Sequence, residues 1–298
     1  MSGDKKRVIA LGFFDGVHLG HQALLKTAVE RGIQHDLTPA VFTFDRSPKE
    51  FVTGVKVPLL TTAEERKAAV KRTFPIDEVI VEPFDERMMT MPWEDFVLML
   101  AQKYRAGWLV AGHDFRFGHQ NAGTPALLCE KAAQLGMGCD IIPAVTLDGV
   151  TVSSTHIRGL LKEGDVETAQ RFLGCPYAIT GDVRHGKGLG RTIGAPTLNV
   201  IPADGLLIPA YGVYATRVYV ASRQYDAVTN VGVRPTVDEN GGVTVESHLL
   251  DVNEQLYGKE CRVEFLKLLR REMKFADLNE LQAQIAKDVA DARKILMK

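Results

Sequence analysis

Apolar positions follow two different patterns along the chain, and the first pattern fills residues 8–150. Short apolar runs such as Val8–Phe14 and Ala40–Phe44 are separated there by longer stretches with helical spacing, such as His21–Arg31. This alternation predicts right-handed βαβ units and a parallel sheet, whose ligands bind beyond the carboxyl ends of the strands. The other predicted strands are Val79–Glu82, Trp108–Gly112 and Asp140–Pro143, and the other predicted helices are Thr62–Phe74, Pro92–Tyr104 and Thr124–Leu135.

The second pattern, over residues 175–298, consists of many short β-rich runs with Gly and Pro turns between them. It predicts a small antiparallel β-barrel with one C-terminal helix, Leu278–Met297. The change of pattern near Gly174-Cys175-Pro176 predicts two domains, 1–174 and 175–298. The predicted strands are Tyr177–Arg184, Tyr211–Val220, Gln224–Val228, Val243–Asp251 and Glu260–Leu269.

Composition excludes several classes of protein. Hydrophobic residues make up 45% and charged residues 24% of the 298 positions, as in soluble globular proteins, and the net charge is −1. This balance gives no basic surface for nucleic acid, so we expect a small anionic ligand instead. No apolar run approaches the ~20 residues of a membrane-spanning helix, and no secretory signal is apparent. We therefore expect a cytoplasmic protein without a membrane partner, and composition says nothing of its oligomeric state.

The four cysteines are widely scattered and form no C-x-x-C pair. A disulfide framework or a zinc site would need paired spacings. We therefore expect reduced structural thiols at Cys129, Cys139, Cys175 and Cys261.

The segment Gly12–His21, G-F-F-D-G-V-H-L-G-H, joins the first predicted strand to the first helix. Backbone N–H groups at a helix start form an anion site, and Gly16 and Gly20 let a phosphate approach the backbone. His18 and His21 are three residues apart, so both rings face one side and can stabilise charge on a phosphate oxygen. The alternative is that the histidines only cap or pack. The H-x-G-H spacing between a strand and a helix favours the phosphate site.

A second patch, Ser153-Ser154-Thr155-His156-Ile157-Arg158, precedes a short predicted helix. Its hydroxyls can simply cap that helix. Together with Arg158 they can also form an anion cradle, since arginine binds phosphate with two parallel hydrogen bonds. Beside the first motif, we favour phosphate binding.

These two motifs resemble those of the cytidylyltransferase-type nucleotidyltransferases. The fuller string, with Gly112–Gly118 (G-H-D-F-R-F-G), is similar to the FMN adenylyltransferase branch. The resemblance implies a Rossmann-like fold and AMP transfer from ATP to FMN, with His18, His21 and Arg158 stabilising charge as pyrophosphate leaves. This family usually has T-F-x-P-H-P where Thr43–Pro48 reads T-F-D-R-S-P. On this basis we assign ATP and phosphate binding to Gly12, Phe13, Asp15, Gly20, Ser153, Ser154 and Thr155, and flavin binding to Asp114, Phe115 and Arg116.

In the second half, a glycine-dense loop follows the first β-run. Its backbone N–H groups and two cations can wrap a polyphosphate, although a flexible hairpin loop has the same composition. Thr197 and Asn199 lie two apart, so their side chains point the same way in an extended chain and offer neutral oxygens to Mg²⁺. Glu246 alternates with apolar neighbours, and an inward acid on a barrel strand could accept a proton from an alcohol; an ordinary surface acid is the alternative. The predicted phosphate-binding residues of the loop are Gly186, Lys187, Gly188, Gly190 and Arg191.

Four motifs over residues 178–251 occur in the order found in riboflavin kinases: G-x-V-x-x-G, G-R-x-I-G-x-P-T-x-N, N-V-G-x-R-P-T and V-E-x-H-L-L-D. The resemblance implies that Thr197 and Asn199 help to hold Mg²⁺-nucleotide and that Glu246 is the base toward the riboflavin 5′-hydroxyl. It also suggests a flavin contact for Arg270, and Ala195 replaces the usual Phe. The whole chain is similar to the bacterial bifunctional enzymes that convert riboflavin to FMN and FMN to FAD with ATP.

Two other classes compete with this interpretation. A class I aminoacyl-tRNA synthetase also has H-x-G-H, but it would need a K-M-S-K-S-like loop and a basic tRNA surface, and the sequence offers neither. A non-catalytic flavin-binding regulator should have lost His21, Thr197 or Glu246, and all three are present.

Overall fold

The computed structural model describes residues 5–184, 197–233, 243–252, 256 and 258–297. The chain divides into two compact units, Met1–Ser154 and Thr155–Lys298. The predicted domain boundary, after residue 174, lies 20 residues further along the chain than this division after Ser154, and it stays a prediction.

The first unit contains a five-stranded parallel sheet in the order β3-β2-β1-β4-β5. Alternate residues of β1 face opposite sides: Val8 and Ala10 join one buried apolar cluster, and Ile9 and Leu11 join the other. The sheet is therefore covered on both faces, as the predicted α/β class requires. Its strands are β1 (Arg7–Leu11), β2 (Thr38–Phe44), β3 (Glu78–Glu82), β4 (Ala106–Gly112) and β5 (Gly138–Ile142).

Helices connect these strands, and a small hairpin follows the last one. Most of these helices begin with a side-chain cap typical of helix N-termini; for example, Thr62 accepts a hydrogen bond from the backbone N–H of Glu65, whereas the helix after Pro92 begins without one. The helices are α1 (Leu19–His35), α2 (Pro48–Thr53), α3 (Ala63–Thr73), α4 (Glu86–Thr90), α5 (Trp93–Gln102) and α6 (Pro125–Gln134), and the hairpin is β6 (Thr146–Leu147) with β7 (Val150–Thr151).

The second unit is built on a closed antiparallel barrel, in the order β10-β11-β12-β9-β8-β13. The barrel and its C-terminal helix confirm the predicted fold class of this half. Two helices, α7 (Ser154–Glu163) and α8 (Val166–Leu173), precede the barrel, and α8 packs on β8 and β13. The remaining elements are β8 (Tyr177–Arg184), β9 (Thr197–Pro202), β10 (Gly212–Val220), β11 (Arg223–Val233), β12 (Val243–Leu249), β13 (Glu260–Arg271) and α9 (Leu278–Leu296).

Apolar side chains fill the barrel and also its outer face under α9. Tyr214 and Phe265 lie inside, with ring centroids 5.1 Å apart. On the opposite face of β10, Val213 and Ala215 pack in one cluster with Ala292 of α9. The terminal helix thus covers one side of the barrel.

The expectation of reduced thiols is wrong for two of the four cysteines. Cys129 of α6 and Cys139 of β5 form a disulfide, with their Cα atoms 5.3 Å apart. The reason is local: α6 ends just before a turn at Gly136, and the chain returns along β5 beside it. Cys175 is exposed and Cys261 is buried, and neither takes part in this disulfide.

Candidate active sites

The H-x-G-H segment lies at the carboxyl edge of the parallel sheet. β1 ends at Leu11, three residues earlier than predicted, and an irregular loop leads to α1. Phe14 and Val17 have φ angles of 55° and 44° within this loop. Such backbone costs on the order of 1–3 kcal/mol per residue and is concentrated at functional sites. The loop shape is therefore held by its surroundings and not by local preference.

The two histidines stack at the start of α1. Their ring centroids are 3.6 Å apart with an interplanar angle of 13°, and His18 Nδ1 accepts a hydrogen bond from the His21 backbone N–H at 3.3 Å. Gly20 makes this arrangement possible, because a Cβ there would lie 3.1 Å from the His18 ring. The structure thus confirms that both rings lie together, with His18 as the N-cap residue.

Burial controls the charge of His21. Desolvation lowers its pKa well below the ordinary value, and the nearby His18 and Arg66 lower it further. Within the described part of the chain, its Nδ1 is buried without a hydrogen-bond partner. His21 is therefore a neutral imidazole near pH 7, which can donate a hydrogen bond to phosphate through a single ring nitrogen.

Asp15 anchors the loop. Its Oδ1 accepts hydrogen bonds from the backbone N–H groups of Leu60 and Thr61, at 2.9 and 3.0 Å. The Ser154 hydroxyl donates to the Asp15 carbonyl at 3.0 Å, so this one residue of the second predicted patch lies at the loop. The Asp15 side chain is only 2% exposed, so its contacts support the loop from its buried side.

The other predicted residues of this half divide between the units. Gly12 donates its N–H to the Phe42 carbonyl at 3.3 Å, and Ser153 is half-buried just before α7. Thr155 is exposed and Arg158 half-buried on α7, and both belong to the second unit. Their predicted roles in phosphate binding stay predictions.

Asp114, Phe115 and Arg116 lie in the loop after β4, which is the strand beside β1. Parallel strands end at the same edge, so this loop and the H-x-G-H segment share that edge of the sheet. The ring of Phe115 stacks on Phe117 with centroids 5.4 Å apart, while Asp114 and Arg116 are exposed. The flavin contacts assigned to these three residues stay a prediction.

Arg66 of α3 is a residue that the sequence did not single out. Its guanidinium carbon lies 4.1 Å from the centroid of the Phe13 ring, and its side chain is buried. Within Glu64–Lys67 it resembles an ordinary charged helix surface, and no sequence signal separates it from its neighbours.

In the barrel, the strand register brings the predicted kinase residues onto one face. Glu246 lies directly opposite Asn199 on one side and Asn230 on the other. Thr197 lies opposite His248, one step along the same face. The sequence predicted a common direction for Thr197 and Asn199, and the register adds Glu246 to them.

This face is the outside of the barrel, so the prediction of an inward Glu246 is wrong. Val245, Ser247 and Leu249 fill the interior and are at most 6% exposed, and alternation directs Glu246 outward. The carboxylate instead lines a cavity of about 650 Å³ between the barrel face, the segment after β13 and α9. Polar and apolar side chains line it on both sides: Thr197, Val213, Val228, Asn230, Glu246 and His248 from the barrel face, and Arg270, Glu272, Met273, Lys274, Phe275, Leu281, Ile285 and Asp288 from the end of β13, the segment after it and α9.

The donor set beside Glu246 suits a magnesium ion. Asn199 is 2% exposed, and its Oδ1 has no hydrogen-bond partner among the described residues. A buried amide oxygen without a partner costs free energy unless it binds a ligand. Amide, hydroxyl and carboxylate oxygens are what Mg²⁺ prefers when phosphates and water complete its shell. Asn199 and Thr197 therefore fit Mg²⁺-nucleotide, with the Glu246 carboxylate beside them.

Arg270 is engaged in a partly buried ion pair with Asp288 of α9, at 2.9 Å between Nη2 and Oδ2. Both residues line the cavity. The glycine-dense loop, with Gly186, Lys187, Gly188, Gly190 and Arg191, lies outside the described residues, and so does Ala195.

Comparison with known proteins identifies the family. The family model described as FAD synthetase matches residues 1–156, and that described as riboflavin kinase matches residues 173–296. The chain is 38% identical over 290 residues to the bifunctional riboflavin kinase/FMN adenylyltransferase of Escherichia coli K12, covering 96% of this chain and 91% of that protein. This chain belongs to that bifunctional family. The resemblance drawn from its motifs is confirmed.

Two further comparisons also cover nearly the whole chain. The Bacillus subtilis member of the family is 36% identical over 295 residues, covering 96% of this chain and 92% of its own. A crystal structure described as a macrolide-efflux protein from Streptococcus pneumoniae has a TM-score of 0.87 and 30% identity, covering 98% of this chain and 95% of its own. The fold is thus matched over both halves. Within the described ranges, no helix is long and apolar enough to cross a membrane.

Proposed function

We propose that the chain phosphorylates riboflavin to FMN in the barrel cavity and adenylylates FMN to FAD at the H-x-G-H loop, with ATP as co-substrate in both steps. The observation that supports this most directly is the juxtaposition of Glu246 with Asn199, whose buried Oδ1 has no hydrogen-bond partner among the described residues. Because ATP is consumed twice, we infer a cytoplasmic enzyme.

In the kinase step, Glu246 accepts the proton of the riboflavin 5′-hydroxyl as that oxygen attacks the γ-phosphate of ATP, the bond from that phosphorus to the bridging oxygen breaks, and ADP leaves. The apolar side chains of Met273, Phe275 and Leu281 suit the flavin ring, and polar lining residues such as Asn230 and His248 suit the ribityl hydroxyls. Asn199 and Thr197 would hold Mg²⁺, which supplies charge neutralisation on the phosphates when bound. The protein's own contribution is to orient the alcohol toward the carboxylate.

The adenylylation step needs no strong base, since the attacking FMN phosphate is already an anion. In this step we assign to His18 and His21 the stabilisation of charge on the phosphates as pyrophosphate leaves. A neutral His21 acts here as a hydrogen-bond donor from a preorganised position. Arg158 is assigned to the same step from the resemblance.

Two substitutions separate the sites. Glu246→Gln should abolish FMN formation from riboflavin but spare FAD formation from supplied FMN, because only the proton acceptor is removed. His21→Ala should do the reverse. Chromatography of the products from riboflavin, ATP and Mg²⁺, or from FMN, ATP and Mg²⁺, measures both activities.

Matched variants control for unspecific damage. Glu260→Gln changes an exposed acid at the start of β13, and His35→Ala changes the exposed histidine at the other end of α1. Both should keep both activities. Loss of both activities in Glu246→Gln or in His21→Ala would contradict two separate sites.

A further inference from the structure

Arg66 is a buried cation at the edge of the adenylylation site. It is 1% exposed, on the second turn of α3. Its Nη1 donates to the Thr43 hydroxyl at 2.9 Å and to the Phe44 carbonyl at 3.0 Å. The Thr43 hydroxyl in turn donates to the carbonyl of Phe13 at 2.9 Å, and the Phe13 ring covers the guanidinium. Arg66 therefore holds the loop that follows β1 through two independent contacts.

The other two nitrogens of the Arg66 guanidinium have no hydrogen-bond acceptor in the part of the chain that the structure describes. Nε and Nη2 are buried without a hydrogen-bond partner among the described residues, and within those residues no carboxylate lies in ion-pair distance of Arg66. A buried charge with unmet donors costs several kcal/mol. Such a costly buried charge is retained where it serves a function, and the Arg66 guanidinium lies beside the loop to which we assign phosphate binding.

We propose that Arg66 is a positioning residue for adenylyl transfer: its buried guanidinium fixes Phe13 and supplies a permanent positive charge to the phosphates at the Gly12–His21 loop. This inference rests on the assignment of adenylyl transfer to that loop. A charge in a water-poor environment acts over a longer distance than a surface charge, so it stabilises developing negative charge without touching the substrate.

The charges around Arg66 agree with this role. Burial lowers its pKa to about 10, against the opposing effect of Asp15 and Asp45, so the guanidinium stays charged near pH 7. On α1, the same positive charge and the neighbouring His18 help to keep His21 neutral. Arg66 thus brings to this loop the full positive charge that His21 does not carry.

Two substitutions test the charge separately from the fold. Arg66→Met keeps the length and apolar contact of the side chain but removes the charge, and should lower kcat/KM for FAD formation from FMN by about tenfold or more. Riboflavin phosphorylation by the same chain should stay within about twofold, and an unchanged melting temperature of the first unit reports that the unit carrying Arg66 is folded. Arg72→Met, at an exposed position of α3 that pairs with Glu65 at 3.2 Å, is the matched control and should change neither activity.

Arg66→Lys makes the charge titratable. The burial that lowers the pKa of Arg66 should also lower that of a lysine ammonium from its usual value of about 10.4. The lysine variant should therefore form FAD well near pH 7 and lose activity progressively toward about pH 9, while the wild-type protein does not. Lysine lacks the planar guanidinium group, which makes several hydrogen bonds at once. If Arg66 had a purely structural role, the Lys and Met variants should therefore fail equally at every pH.

The outcomes are distinct. Wild-type FAD formation by Arg66→Met, or equal failure of both variants across the pH range, would overturn the proposal. If His21→Ala also retained FAD formation, the assignment of the loop itself would fail; if His21→Ala lost it and Arg66→Met did not, only the role of Arg66 would fail. Should Arg66→Met not fold, the pH profile of Arg66→Lys decides.

Discussion

Arg270 and Asp288 join the end of β13 to α9 across the wall of the kinase cavity. Arg270 Nε donates to Asp288 Oδ1 at 3.1 Å and to Oδ2 at 3.0 Å, and Gln284 adds a hydrogen bond to Oδ1 at 2.7 Å. Asp288 is 4% exposed, so the pair is buried on the helix side. Such a pair fixes the distance between two elements that both line the cavity, so Arg270 has a structural role there.

We therefore predict that Asp288→Asn impairs the kinase more than the adenylyltransferase. Removing the carboxylate charge of buried Asp288 leaves half-buried Arg270 without its counter-charge, which costs about 1–3 kcal/mol. FMN formation should fall strongly and the melting temperature of the barrel unit should drop, with FAD formation from FMN retained. Asp291→Asn on the same helix is the control: its pair with Lys294 is exposed and worth little. Equal effects of the two variants would contradict a special role for the Arg270–Asp288 pair.

The lowered pKa of His21 predicts an acid-sensitive first unit. An unfolded histidine binds a proton below about pH 6.5, whereas buried His21 resists protonation until a lower pH. The unfolded state then holds more protons, so stability falls as pH drops below about 6.5, by at most about 1.4 kcal/mol per pH unit. Melting temperatures between pH 5 and 8 should show this slope, and His21→Gln should flatten it. An unchanged slope in His21→Gln would show that other groups cause it.

From the sequence, helices and strands could be predicted better than the contacts between side chains. Every strand of the parallel sheet was located from apolar runs, because a strand covered on both faces is apolar along its length. Short elements such as α2 (Pro48–Thr53) and α8 (Val166–Leu173) were missed, since a helix of two turns has too few positions to show periodicity. β9 was expected only as an extended chain around Thr197 and Asn199.

Facing directions and long-range neighbours were harder to predict. Alternation along β12 separated Glu246 from Val245 and Ser247, but it does not say which face is the inside of the barrel. Arg66 and Thr43 meet only because α3 returns over the end of β2, which no local pattern encodes. The sequence thus identified residue types and order at both sites, whereas burial and partners depend on tertiary packing.

Gly181 is predicted to be irreplaceable in the barrel. A Cβ there would lie 2.0 Å from the carbonyl oxygen of Ile201 on the paired strand β9. Backbone cannot yield as a side chain can, so Gly181→Ala should cost about 3 kcal/mol or more and abolish riboflavin phosphorylation. Gly159→Ala is the opposite case: nothing lies near an added Cβ, and Ala in a helix should stabilise by about 0.5–1 kcal/mol. Denaturant unfolding of both variants distinguishes these signs, and a stable Gly181→Ala would contradict the close strand approach.

The cysteine arrangement predicts unequal labelling by iodoacetamide. Burial, with a smaller effect from Asp182 and Glu260, raises the pKa of the Cys261 thiol to about 12, so it should not react in the folded protein. Exposed Cys175 should react. Mass spectrometry of the native protein should therefore find one labelled cysteine without reductant, three after mild reduction and four after unfolding with reductant.

The Cys129–Cys139 disulfide predicts how the first unit responds to reduction. A disulfide across ten residues of sequence contributes about 2–3 kcal/mol in the chain-entropy account. Cys129→Ala should therefore lower the melting temperature of the first unit, and reductant should lower it equally in the unaltered protein. A melting temperature that neither the substitution nor the reductant changes would contradict this contribution.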